Sequence, residues 1–277
     1  MNILKTTLEL GAKKPFRILH VSDTHLTRAD DRNDQRKVEL ARERLRYFPN
    51  AEEMVLEIVK VAKEQNAVVI NTGDLTDFVS YANLDCVKAF MEEVDCFTAA
   101  GNHEFSLYVG EAWEDATYRN QSLELVQGAF KNDIRFASRL INGINFVALD
   151  NSYYLFEEWQ LVRLKEEAGK GLPIVLCMHT PLYSEDLFAH VTKGKASDTC
   201  AYLMCAPDEK TANYVPMRRR QQQPDAITRE AYEYILQEPM IKAILAGHLH
   251  IDFEHVLAER IPQLMVGTET IRILTIR

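Results

Sequence analysis

Five short apolar runs in this chain each finish on side chains that coordinate metals or titrate: RILHVSDTH, VVINTGD, FTAAGNHE, VLCMHT and ILAGHLH. Runs of this length, rich in β-branched residues, read as buried strands, and Val68 to Asn71, Phe97 to Ala100, Ile144 to Leu149 and Ile174 to Met178 fit that pattern. Each is flanked by a plausible helix. That alternation predicts an α/β fold, with sheets covered by helices. In such folds ligands bind beyond the carboxyl ends of the strands, where His25, His103, His179, His248 and His250 all fall.

The intervening segments support this reading. A helix is expected from about Asn50, where Asn50 and Glu53 form a capping-box pattern and Met54, Val55, Ile58, Val59 and Ala62 recur at helical spacing. Another is expected from Thr228 to Glu238, burying Ala231, Tyr232, Ile235 and Leu236 and stopped by Pro239. Asn142-Gly143 predicts a hairpin between Arg139 to Ile141 and the strand from Ile144. From Ile251 onward the sequence reads as successive strands with turns between them, so an antiparallel part of the sheet is expected to close the fold. Thr27 to Arg46 and Ser184 to Asp225 are long and polar and read as lid or substrate loops. No linker marks a boundary, so residues 1–277 are expected to form a single domain.

Composition narrows the function. At 47% hydrophobic and 26% charged, the 277 residues can bury a substantial core. No apolar run approaches the roughly 20 residues that a bilayer demands, and the first residues lack the apolar stretch of a signal peptide, so a soluble, cytoplasmic protein is expected. Five cysteines without a C-x-x-C argue for reduced, mostly buried thiols rather than a disulfide framework or a thiolate zinc site. The formal charge of -9 disfavours general nucleic-acid binding.

The chemistry lies in the strand ends. In the extended reading, Asp23 and His25 are two apart and aim the same way. Gly73 lets the chain turn before Asp74; Asn102 and His103 follow Gly101; His179 stands alone; His248 and His250 are again two apart. Carboxylate, imidazole and amide oxygen make a mixed N/O ligand set suited to Mn, Fe or Zn rather than to Mg alone or Ca. Asp77 reads as a helix cap, Asp150 and Asn151 as turn residues, and His20, His190 and His255 as packing or surface histidines. The run Arg218 to Arg220 reads as a solvated charge run, with a phosphate contact as the alternative.

The ordered set D-x-H, G-D, G-N-H-E, H and G-H-x-H, from Asp23 to His250, resembles the calcineurin-like metallophosphoesterase superfamily. The resemblance implies a four-layer α/β/β/α sandwich with two metal ions at the strand ends. It implies Asp23, His25 and His250 on one metal, Asn102, His179 and His248 on the other, and Asp74 bridging both. It also implies that His103 binds no metal but contacts the substrate phosphate and protonates the leaving oxygen, with Glu104 orienting it. The position of Asp77 departs from the tyrosine of purple acid phosphatases, so a ferric-tyrosinate site is not expected.

The reaction explains such a ligand set. A phosphate ester is anionic and repels hydroxide, so two cations about 3.5 to 4 Å apart would share a hydroxide nucleophile and clamp the phosphoryl oxygens. The expected activity is thus hydrolysis of a small phosphate ester, monoester or diester. A non-catalytic interaction module of the same fold and a DNA-processing nuclease are the alternatives. The first would require lost ligands and the second favours a longer, more basic chain. Substrate identity, the native metal pair and the oligomeric state carry no signal in the sequence.

Overall fold

The computed structural model describes residues 1–109 and 116–277, with the side chains of 116–118 left aside. The strands are β1 (Asn2–Leu8), β2 (Phe16–Val21), β3 (Val68–Asn71), β4 (Cys96–Thr98), β5 (Phe136–Ile141), β6 (Ile144–Leu149), β7 (Ile174–Cys177), β8 (Ile241–Ala246), β9 (Phe253–Leu257), β10 (Ile261–Met265) and β11 (Thr270–Ile276). One sheet runs β1-β11-β2-β3-β4 and the other β5-β6-β7-β8-β10-β9. In the first, β2, β3 and β4 are parallel. In the second, β6, β7, β8 and β10 are parallel.

The helices are α1 (Gln35–Arg44), α2 (Ala51–Gln65), α3 (Tyr81–Glu93), α4 (Ala116–Gln127), α5 (Glu158–Gly169), α6 (Glu185–Thr192), α7 (Asp208–Thr211), α8 (Pro216–Gln222) and α9 (Ala226–Gln237). The pleat sorts the side chains into layers, because successive residues of a strand face opposite ways. Ile18, Ile70, Phe146, Val175, Ala243 and Leu245 meet between the two sheets. Their neighbours Leu19 and Val69 face outward onto Met54, Ile58, Val87 and Phe90 of α2 and α3. On the far side Val147, Leu176 and Ile244 face Leu161, Leu164, Ala231 and Ile235 of α5 and α9. The result is the expected four-layer α/β/β/α sandwich, whose central strands, such as β6 and β7, are buried on both faces and hence largely apolar. Burying a side chain such as Phe146 contributes about 1.5–3 kcal/mol.

Several local expectations hold. Asn142 and Gly143 both take positive φ, the conformation a two-residue hairpin turn requires, between antiparallel β5 and β6. All five cysteines are free, although only Cys96 and Cys177 are buried and the other three are half-buried. His190 is exposed against the Phe253 ring, whereas His20 and His255 are buried.

Others are corrected. Asn50 starts α2 without a side-chain cap; its amide instead donates to Glu269 across 2.7 Å. The C-terminal strands include the expected antiparallel pairings, but they are shared between the two sheets. β9 and β10 belong to the second, while β11 crosses to the first, antiparallel to β2 and parallel to β1. Neither polar segment is a bare loop: 27–46 contains α1, capped by Asp34, and 184–225 contains α6, α7 and α8. Leu187, Ala201, Leu203 and Tyr214 of the second pack with Tyr183 and with Ala246 and Met265 of β8 and β10 in a small separate cluster.

Candidate metal centre

The carboxyl ends of β2, β3, β4, β7 and β8 all open on one edge of the sandwich, and the polar motifs leave from there. They are held together by close backbone approach. A Cβ on Gly101 would sit 2.2 Å from Asp74 Oδ1, and one on Gly247 would sit 1.8 Å from Ser22 Oγ and 2.4 Å from Asp23 Oδ2. Glycine is required at both positions because the neighbouring strand end occupies that space.

Asp23 and His25 do not converge by strand alternation, as the extended reading had it. β2 ends at Val21, and Asp23 and His25 take φ of 56° and 54°. Asp74, His248 and His250 are left-handed as well, at 55°, 70° and 55°. Each such L-residue costs about 1–2 kcal/mol. Hydrogen bonds between the motifs offset that strain. Asp23 N–H donates to Gly73 O and His25 N–H to Asp74 O, both at 2.9 Å, and His248 N–H donates to the Asp23 carboxylate at 2.9 Å.

Asp74 is the centre of the arrangement. Its Oδ1 accepts from His103 N–H at 2.8 Å, while Oδ2 lies 3.1 Å from His179 Nε2 and 3.7 Å from His25 Nε2. On one side, Asp23 Oδ1 lies 3.4 Å from His250 Nε2, which is 3.0 Å from His25 Nε2. On the other, His248 Nδ1 lies 3.1 Å from His179 Nε2. Asp23, His25 and His250 thus form one donor cluster and Asp74, His179 and His248 a second, while His103 approaches His25 and Asp74. Asn102 is buried beside them on the backbone that carries His103.

The donor set fits cations. His179 Nδ1–H donates to Thr72 O at 2.8 Å, and His25 Nδ1 is held by Asp77 Oδ1 at 2.9 Å, so both rings turn Nε2 inward, where a cation would take the place of its proton. Paired imidazole edges and carboxylates are the N/O set of a transition-metal site. Burial alone would push the Asp23 carboxyl up, but hydrogen bonds from His25 and His250 outweigh it and hold it well below the usual range. Burial would push His179 down, yet the Asp74 carboxylate beside it raises it to about 9. Burial, then the His179 charge, push His248 down to about 3.

Two expected roles change. Glu104 does not orient His103. Its carboxylate is buried beneath the Gly73-Asp74 turn, accepting from the N–H groups of Gly101, Asp74 and Leu75 at 2.6–2.7 Å. Burial and the Asp74 charge push it up to about 7, against the pull of those donors. Asp77 does not cap a helix, since Ser80 caps α3. Asp77 instead faces His103 Nδ1 through its carbonyl at 2.7 Å and its Oδ1 at 3.2 Å, holds His25, and receives Arg44 Nε at 2.6 Å. Burial opposes its ionisation, but these hydrogen bonds from His103, His25 and Arg44 hold it far below the usual range.

The β6 end also does more than turn. Asn151 Oδ1 accepts from the N–H groups of His179 and Thr180 at 3.0 Å each, and its amide donates to Thr180 O at 2.7 Å. Asp150 binds Arg119 and Arg135 at 3.3 and 3.2 Å. At the rim, the Phe48 ring stacks on His25 at 4.1 Å. Arg219 and Arg220 are exposed, whereas Arg218 is half-buried, with its guanidinium 5.4 Å from the centre of the Tyr202 ring.

Residues 16–252 match the family model of calcineurin-like phosphoesterases. The chain belongs to that family. Membership supports a metal-dependent phosphoester hydrolase as its general class. Among solved structures, a dimetal phosphatase from Danio rerio is similar in fold, with a TM-score of 0.53 at 14% identity over 91% of this chain and 88% of that one. A putative 5'-nucleotidase from Staphylococcus aureus gives 0.46 at 13% identity over 92% of this phosphoesterase chain, which spans 49% of the nucleotidase. Phosphopantetheinyl hydrolase from Mycobacterium tuberculosis gives 0.43 at 11% identity, over 91% and 89%. No curated protein matches the chain. Among the described residues, no helix is long and apolar enough to cross a membrane.

Proposed function

We propose that residues 1–277 form one domain that hydrolyses small phosphate esters, monoesters or diesters, at a pair of Mn, Fe or Zn ions. Asp23, His25 and His250 would hold one ion, Asn102, His179 and His248 the other, and Asp74 would serve both. The single observation that carries this reading is the position of Asp74 Oδ2 between His179 Nε2 and His25 Nε2. One carboxylate oxygen shared by two imidazole-bearing clusters is what a bridging ligand needs, because its charge offsets cation-cation repulsion.

When bound, two such ions would lower the pKa of a shared water to supply a hydroxide nucleophile and would clamp the phosphoryl oxygens. The protein supplies the rest. Asp77 turns the His103 ring so that Nδ1 is engaged and Nε2 is left to carry a proton toward the leaving oxygen. Glu104 fixes the amides of the turn that presents Asp74. Phe48 on one side and Tyr202 with Arg218 on the other would wall the substrate, and the charge of -9 argues against a polyanion such as nucleic acid. Five free cysteines suit a reducing compartment, the cytoplasm.

The test is turnover of p-nitrophenyl phosphate and its bis-ester by metal-stripped protein reloaded with Mn, Fe or Zn. His103→Ala should lower kcat by at least 100-fold with both ions retained. Two bound ions without turnover of any ester by the intact chain would overturn the proposal.

A further inference from the structure

The turn that follows β6 contributes no residue to either donor cluster, yet it holds both histidines of the second, His179 by its backbone and His248 by its ring. Asn151 holds the backbone of His179, as described above. Three residues on, Tyr154 Oη lies 2.7 Å from His248 Nε2. The Tyr154 ring meets the imidazole edge to face at 5.5 Å and 74°. Tyr154 is 1% exposed and has φ of 62°, so the fold holds a bulky residue in a left-handed conformation to keep the hydroxyl there. Its N–H donates to Asn151 O at 3.0 Å, which makes the two residues one tight turn.

We infer that Tyr154 is a positioning residue for His248, accepting the Nε2–H so that the lone pair is committed to Nδ1. The inference rests on the proposed two-ion site. A neutral imidazole has one N–H and one lone pair, and the nitrogen that carries the proton cannot bind a cation. His248 Nδ1 is the atom that faces His179 Nε2. With Nε2–H on the tyrosine oxygen, Nδ1 is the ligand atom and the ring cannot swing away. His25 and His179 are oriented in the same manner by Asp77 and by Thr72 O, so each of these rings has a partner of different chemistry on its outer nitrogen. Outer partners of this kind contribute 10- to 100-fold to metal affinity.

The variant Tyr154→Phe keeps the ring and removes the acceptor. Metal-free protein is titrated with Mn2+ by calorimetry, and the spin-coupled two-Mn signal is followed by electron paramagnetic resonance. The intact chain should take up two ions. Tyr154→Phe should bind one ion with unchanged affinity and the other 10- to 100-fold more weakly, the coupled signal emerging only at correspondingly higher Mn2+. The one unchanged step shows in the same sample that the variant is folded. Two steps within twofold of the intact chain would overturn the inference alone, as would equal weakening of both steps. An intact chain that binds fewer than two ions would overturn the proposed function and this inference with it.

Discussion

Replacing Asp77 by Asn perturbs the group on which one side of the site turns, and the structure sets the size of the effect. Asp77 is fully buried and receives Arg44, whose side chain is 18% exposed. Removing one partner of a buried ion pair costs about 3–5 kcal/mol, and the partial exposure of the guanidinium brings this to roughly 2 kcal/mol. The bond from His25 Nδ1 becomes a bond to a neutral oxygen, a loss of about 1 kcal/mol. Asp77→Asn is therefore expected to be about 3 kcal/mol less stable when metal-free, a fall in Tm of roughly 5 °C for a chain of this size. With His25 no longer held by a carboxylate, affinity at the Asp23-His25-His250 cluster should fall 10- to 100-fold while the other cluster is spared. Thermal unfolding followed by circular dichroism and a Mn2+ titration measure both. A Tm within 2 °C of the parent, with the affinity for both ions unchanged, would refute the role given to Asp77.

Gly247→Ala places a methyl group into Ser22 Oγ and the Asp23 carboxylate. It should cost about 1–3 kcal/mol of stability and abolish uptake of one of the two ions, read by urea unfolding and elemental analysis. His20 is buried against Thr72, and burial, then the Arg272 charge, push it from 6.5 down to about 3. Its folded-state value is the lower one, so the unfolded chain binds the extra proton, and stability is lost as pH falls below 6.5. Between pH 6.5 and 5 that loss is about 2 kcal/mol. His20→Gln should remove it, so that the gap between urea midpoints at pH 7.5 and 5 narrows relative to the parent.

Much of this was legible in the sequence because burial and chemistry left their marks in adjacent residues. The two-sided burial of β3, β6, β7 and β8 wrote continuous apolar runs, and the glycines at 73, 101 and 247 flagged the places where strand ends touch. What was not legible depends on contacts far apart in the chain. Asp77 reaches Arg44 from α1 and His103 from the end of β4, and nothing in its immediate neighbours says so. Glu104 stands next to His103 in sequence, but the 3-10 turn at His103–Phe105 sends the two side chains to different partners. Tyr154 is joined to His248 across 94 positions. The helices inside 27–46 and 184–225 were masked by charge. Only Asp34 and Ser184, each accepting from an N–H three residues on, could have announced α1 and α6.

The central claim is that Asp74 joins two cation sites. Anomalous scattering from crystals grown with Mn2+ tests it most directly. The account predicts two peaks, one among Asp23, His25 and His250 and one beside His179 and His248, with the Asp74 carboxylate touching both. A single peak, or two peaks that Asp74 does not link, would contradict it.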